Sequence, residues 1–199
     1  MRQSALICLL FLVALMISAC AAPQLKKEEL MFEPVINKVI SNEKTITVYI
    51  EDFGFAKTIS NPKVVGQARV GMFNSRALIH SEDPVHLIIT DQLKRVFLKA
   101  GFKLDEKEKA HFRISGRVER FWVAERIGGP LEGAKASVRY DLIVKDAQGR
   151  FVWGNNIVGR ATSRKSMDAT KDDISTLSSA LKNSIEAFFK NEGFWKVVE

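Results

Sequence analysis

The chain has 199 residues, 46% of them hydrophobic and 27% charged, with a formal net charge of +7. That composition excludes a disordered chain, a collagen-like fibre and a polytopic membrane protein. The two cysteines, Cys8 and Cys20, both lie near the start, so nothing downstream can form an internal disulfide.

The opening segment reads as an address. Arg2 supplies a positive n-region, and Ala5 to Ile17 is an unbroken apolar run of thirteen residues. A spanning helix needs about twenty apolar residues, whereas a signal-peptide h-region needs about 7–15. Ile17-Ser18-Ala19-Cys20 follows and resembles the lipobox of bacterial lipoproteins, in which the thiol receives a diacylglyceryl group and the freed amine is acylated. A plain secretory signal with an incidental cysteine, or an uncleaved anchor, is the alternative. Residues 1–19 are thus expected to be a lipoprotein signal peptide. Their removal takes away only Arg2 and leaves about +6. Two or more acyl chains anchor firmly where one binds marginally. Ala21 stands where an aspartate commonly retains Gram-negative lipoproteins in the inner membrane, so the expected location is the periplasmic face of the outer membrane.

Residues 20–42 read as the lipidated N-terminus and a tether, whose later part, with Met31, Phe32, Val35 and Ile36, is apolar enough to pack on the domain or form a first strand; 43–199 read as a single periplasmic α+β domain. Thr45 to Ile50 alternates, with Ile46, Val48 and Ile50 on one face. Asp52-Phe53-Gly54 spells a kinase magnesium motif, but no accompanying kinase motif is present and a strand end is the better reading. Residues 58–80 suggest a hairpin or an irregular crossing. Asp83 as N-cap and Pro84 at the first helical position open an amphipathic helix that runs to about residue 100 and closes at Gly101.

His111 to Val118 alternates again, with Phe112, Ile114, Gly116 and Val118 inward and Arg113, Ser115, Arg117 and Glu119 outward. The phase breaks at Arg120-Phe121-Trp122-Val123 as a β-bulge would break it. Gly128 to Gly133 reads as a loop; Ala136, Val138, Tyr140, Leu142 and Val144 form the next alternating face. A turn over Asp146–Gly149 leads into a return strand, Arg150 to Thr162. The last helix is expected over about 173–192, starting at Asp172-Asp173 and ending at Gly193. Phe194 to Val198 is apolar enough to dock or to add an edge strand. The whole predicts an α+β domain: a mixed or antiparallel sheet with two amphipathic helices packed on one face.

Chemistry-bearing motifs are missing. His80, His86 and His111 lack helical metal spacing, and no nucleophile elbow, Walker loop or dinucleotide fingerprint occurs. No catalytic residue, metal or other cofactor is expected, and the protein is not expected to be an enzyme. The basic residues Arg113, Arg117, Arg120, Arg139 and Lys145 fall on neighbouring strands and form a candidate patch for an anionic partner; a merely solvated face is the alternative. Trp122, Trp153, Phe121 and Phe151 suggest a ligand groove, with core or cross-strand packing the better expectation. An exported protein does not meet chromosomal DNA, so no nucleic-acid partner is expected.

Several of these parts together resemble the YajG-family lipoproteins of Gram-negative bacteria. They are the lipobox at Cys20, Thr47-Val48-Tyr49-Ile50, the helix from Leu93 to Lys99-Ala100-Gly101-Phe102, the meander around Val138-Arg139-Tyr140-Asp141-Leu142, and the closing helix. The resemblance implies no catalytic residues. Auxiliary lipoproteins of lipid-transport ABC systems share a similar order of elements. Two functions follow as expectations: a non-enzymatic lipoprotein that binds an envelope protein, lipid or peptidoglycan, or an auxiliary lipoprotein with an acyl-chain-binding groove.

Overall fold

The computed structural model describes residues 24–199 apart from 34, 37, 41–44, 58, 71–74, 127–132 and 165–168. The signal peptide, Cys20 and the loop from Gly128 to Glu132 therefore lie outside the described residues. In chain order the elements are β1 (Gln24–Leu25), α1 (Lys27–Leu30), β2 (Thr47–Ile50), β3 (Gly54–Phe55), β4 (Val64–Val70), β5 (Ser75–Ser81), α2 (Val85–Lys99), β6 (Lys103–Leu104), β7 (Phe112–Arg126), β8 (Gly133–Asp146), β9 (Phe151–Thr162), α3 (Ala169–Phe189) and α4 (Glu192–Val198).

All the strands join one mixed sheet, built around the long strand β7. On one side β7 pairs antiparallel with β8, which pairs antiparallel with β9. On its other side three strands follow one another in parallel register: β2, then β3, then β4. β4 and β5 form the antiparallel hairpin anticipated in the 58–80 segment, and β6 lies parallel to β2.

The inward faces follow the period-two pattern. Ile114, Val118, Ala136, Val138, Tyr140, Leu142 and Val144 are all fully buried. Against them lie the apolar stripes of α2 (Ile88, Ile89, Leu93, Val96 and Phe97) and α3 (Leu177, Leu181, Ile185 and Phe188). The α+β architecture with both long helices over one face of a mixed sheet is the one expected. Helix α3 lies so close to the sheet that a Cβ on Gly159 would stand 2.0 Å from the Ala180 carbonyl oxygen. Only glycine fits there.

Four details differ from the sequence reading. Pro84, not Asp83, occupies the N-cap of α2, and no side chain caps that terminus. The proline locks its own φ but has a carbonyl free to accept, and the Leu87 and Ile88 amides bond to it. The last long helix neither starts at Asp172-Asp173 nor ends at Gly193; α3 runs from Ala169 to Phe189, and Asn191 caps the separate helix α4 by accepting from the Phe194 amide. The C-terminal segment docks on the domain, the first of its two expected placements, and does so as a helix. Phe194 and Trp195 complete an aromatic cluster with Phe97, Phe102, Phe188 and Phe189, whose neighbouring rings stand 4.6–6.2 Å apart.

The largest difference concerns the segment read as a tether. Gln24–Leu25 pairs in parallel with His80–Ser81, Leu25 and Leu30 are fully buried, and the Gln92 side chain donates to the Phe32 carbonyl. The Ile40 amide bonds to the Ala100 carbonyl at the end of α2. Packed structure is thus in place by Gln24, four residues along the chain from Cys20. A run so poor in periodicity folds because two-residue strands and single-turn helices need partners that the rest of the domain provides.

Candidate functional site

Each strand of the β7–β8–β9 meander places alternate side chains on the face away from the helices. In register, Arg113 stands opposite Lys145, Arg117 opposite Asp141, and Arg120 opposite Arg139. The bulge makes the last pairing possible. The register shifts between Val118 and Arg120, with Glu119 as the extra residue, so Val118 faces the core while Arg120 returns to the outer face. All five sequence-predicted basic residues therefore share one uncovered face. Register adds Lys135 on β8 and Arg160 on β9, the latter opposite Ser137.

Among the described side chains, this face of the meander holds seven cations and two carboxylates, Glu119 and Asp141, a net +5. The cations are not equivalent. Arg117 donates to Asp141 at 3.2 Å, and Asn156 on β9 donates to both Asp141 (2.9 Å) and Glu119 (3.1 Å). This network occupies both carboxylates at the centre. Arg113 donates to the carbonyls of Lys107 and Ala147 at the β8–β9 end. Arg120, Arg139 and Lys145 have no ion pair among the described residues. Two like charges directly opposite in an antiparallel pair repel, so the Arg120–Arg139 juxtaposition costs stability. The Nε of Arg139 is also enclosed without a partner.

Beside this arginine pair the sheet has a gap. β3 leaves β7 at Val118 and β4 joins it at Val123, so the intervening stretch has no neighbouring strand on that side among the described residues. A groove of about 660 Å³ lies there. Its walls are Val64, Leu78 and His80 of the β4–β5 hairpin, Ile59 to Asn61, and Val85 at the start of α2; Glu119 to Trp122 close the remaining side. Leu78 is 41% exposed, a notable figure for an apolar wall residue. Phe121 is buried in the core, while Trp122 opens onto the groove.

The other two aromatics in the predicted groove set lie elsewhere. Trp153 packs on Phe188 and Phe194 at 5.7 Å under the C-terminal helices, and Phe151 is 65% exposed at the far corner. The structure brings together Phe121 and Trp122, and separates Trp153 and Phe151 from them. The sequence reading missed Leu78, His80 and Val64, because the hairpin that carries them reaches the groove through long-range pairing alone.

The histidines serve local structure. His111 Nδ1 pairs with the Thr47 hydroxyl at 2.6 Å, tying β2 to the start of β7. His86 stacks edge-on against Phe55 with ring centroids 4.4 Å apart, and burial holds its imidazole below the usual pKa against the opposing pull of Asp52. On the covered side, burial together with Glu125 and Asp172 pushes the Asp173 carboxyl up to about 7. Among the described residues no group of three or more His, Cys, Asp or Glu is placed to hold a metal ion, and no helix is long and apolar enough to cross a membrane.

No protein-family model matches this sequence, and no curated protein matches it. Solved structures do resemble the fold. A Xanthomonas campestris protein of the DUF330 family is 13% identical, with a TM-score of 0.55 over 89% of this chain and 95% of that one. A hypothetical protein from Chlamydia trachomatis is 8% identical, with a TM-score of 0.47 over 77% and 96%. A putative neuraminyllactose-binding hemagglutinin homolog from Helicobacter pylori is 15% identical, with a TM-score of 0.44 over 83% and 94%. At these identities the likeness is one of fold: this chain shares the α+β architecture of the Xanthomonas protein.

Proposed function

We propose that this protein is a non-enzymatic, lipid-anchored envelope lipoprotein of a Gram-negative bacterium, with the uncovered face of its sheet as the binding surface for an anionic envelope component. One observation carries the reading. The meander face opposite the helices concentrates a net +5 among the described side chains, and six of its seven cations have no ion pair among the described residues. A field of one sign on one face steers anionic partners, whereas scattered charge serves only solubility.

Two sequence features support the anchoring half. Ile17-Ser18-Ala19-Cys20 has the lipobox pattern, and Ala21 follows the cysteine where retention in the inner membrane would call for aspartate. The periplasmic leaflet of the outer membrane is the proposed location, in keeping with the YajG-family resemblance. The β1 strand at Gln24 is four residues from Cys20, so the two lie at most about 14 Å apart. The domain would then sit close to the head groups, within one to two Debye lengths of the surface.

Cys20→Ala tests the anchor. Labelled fatty acid should no longer enter the protein, and the domain should leave the membrane fraction. Unchanged incorporation and unchanged membrane association would refute the anchor. For the surface, reversing Arg113, Arg117 and Arg139 to glutamate should weaken capture of envelope components by in-cell crosslinking, and an unaltered capture profile would reduce these arginines to solvated surface.

A further inference from the structure

We infer that the groove beside the β7 bulge takes one acyl chain of an anionic glycerophospholipid, with the lipid phosphate held by Arg120 and Arg139; this rests on the lipid-anchored reading proposed above. Three independent features converge on that occupant. The first is the apolar wall of Ile59, Val64, Leu78 and Trp122 around a cavity of about 660 Å³, within the size range of about 300–1,000 Å³ typical of ligand sites. The second is charge. Arg120 lines the groove and stands opposite Arg139, and neither guanidinium has an anionic partner among the described residues. A phosphate between two guanidinium groups accepts bidentate charge-assisted bonds and removes the like-charge repulsion.

The third is position. His80, on the groove wall, is the register partner of Gln24, four residues from Cys20. The anchor therefore holds the groove against a bilayer in which lipids are the most concentrated ligands available, an advantage of proximity and not of contact. A soluble ligand or an extended peptide has no such advantage. An acyl chain gains little in moving from one apolar medium to another, so the phosphate contacts decide occupancy. Charge reversal at the arginines should therefore empty the groove even though its walls stay intact.

The test uses the lipidated full chain in phosphatidylcholine vesicles doped with phosphatidylglycerol or phosphatidylcholine carrying a diazirine in one acyl chain. After irradiation, mass spectrometry locates the adducts. Adducts are expected on the peptides bearing Leu78 and Phe121-Trp122 with the phosphatidylglycerol probe. Yields should fall by at least about tenfold in Arg120→Glu/Arg139→Glu, once the two contacts to phosphate are lost, and also with the phosphatidylcholine probe, whose choline ammonium sets a positive charge beside the two guanidinium groups. Circular dichroism of the double variant checks that it is folded. Equal yields from both probes, or adducts only outside the groove, overturn the proposal.

A second variant, Leu78→benzoylphenylalanine, identifies the occupant in cells. A phospholipid adduct supports the assignment; an adduct to the chain's own lipidated N-terminal peptide, or to a protein, overturns it. The same digest gives the mass of the Cys20 peptide. An unlipidated Cys20 would sink the anchor alone, while groove labelling by the vesicle probes is scored separately.

Discussion

Leu142 and Ile143 are neighbours on one strand, yet one is fully buried beneath the helices and the other is 37% exposed among arginines. The same contrast runs along the whole β7–β8–β9 meander. Its covered side is mostly apolar, and its open side carries, among the described side chains, a net +5 with Asp141 and Glu119 as the offsetting carboxylates. A sheet with a single core needs one face for stability. The other is free to carry features that cost stability, and here it carries two arginines set directly opposite each other. Function is to be sought where the structure tolerates such a cost.

Substitutions on the two faces should separate sharply. Gly159→Val should have the largest effect, because its Cβ would stand 2.0 Å from the Ala180 carbonyl oxygen and 2.5 Å from the Ser184 amide nitrogen. Lifting α3 off the sheet should cost more than about 4 kcal/mol, the exceptional end of single-residue effects. Urea denaturation measures it, and Val158→Thr, the next residue on the open side, should change stability by no more than about 1 kcal/mol. Comparable losses at both positions would break the two-face picture.

Asp173, also on the covered side, makes stability depend on pH. Its native pKa of about 7 lies above the value of about 3.9 for an unfolded aspartate. Between those values the native state holds a proton that the unfolded state has released, so stability is fully present below about pH 4 and falls as pH rises towards 7. The loss should reach at most about 4 kcal/mol, and Asp173→Asn should flatten the profile. A denaturation series from pH 4 to 8 checks both the sign and the flattening.

Leu142→Ala should cost about 3 kcal/mol and Ile143→Ala less than about 1 kcal/mol, from lost core volume in the first and little lost burial in the second. The smallest effect has the opposite sign. Arg120→Glu replaces a repulsive pair with an attractive one across from Arg139 and should stabilise by about 0.5 kcal/mol. A destabilised Arg120→Glu would mean that the arginine pair is structural.

Much of this contrast was readable from residue order. The period of two in His111–Val118 and Ala136–Val144 placed the inward residues of those two stretches correctly, because a one-residue slip would put charges into the core. The phase break near Arg120 signalled the bulge, and with it the return of Arg120 to the outer face. What the pattern did not contain was pairing between distant segments. Gln24–Leu25 has no periodicity, and its place beside His80 depends on a strand more than fifty residues away. The groove is a gap between β3 and β4, and a gap in pairing leaves no mark on hydrophobic spacing. Gly193 misled for a local reason: Asn191 supplies a stronger start signal than the glycine supplies a stop.

The open face, and not the helical one, is the proposed contact surface for the envelope partner. In-cell photocrosslinking from benzoylphenylalanine at Ser115 and Ser137, on the open face, and at Ser179 and Ala187, on the exposed side of α3, tests it directly. Adducts from Ser115 and Ser137 with none from Ser179 and Ala187 are predicted. Adducts from the helical positions alone would contradict it.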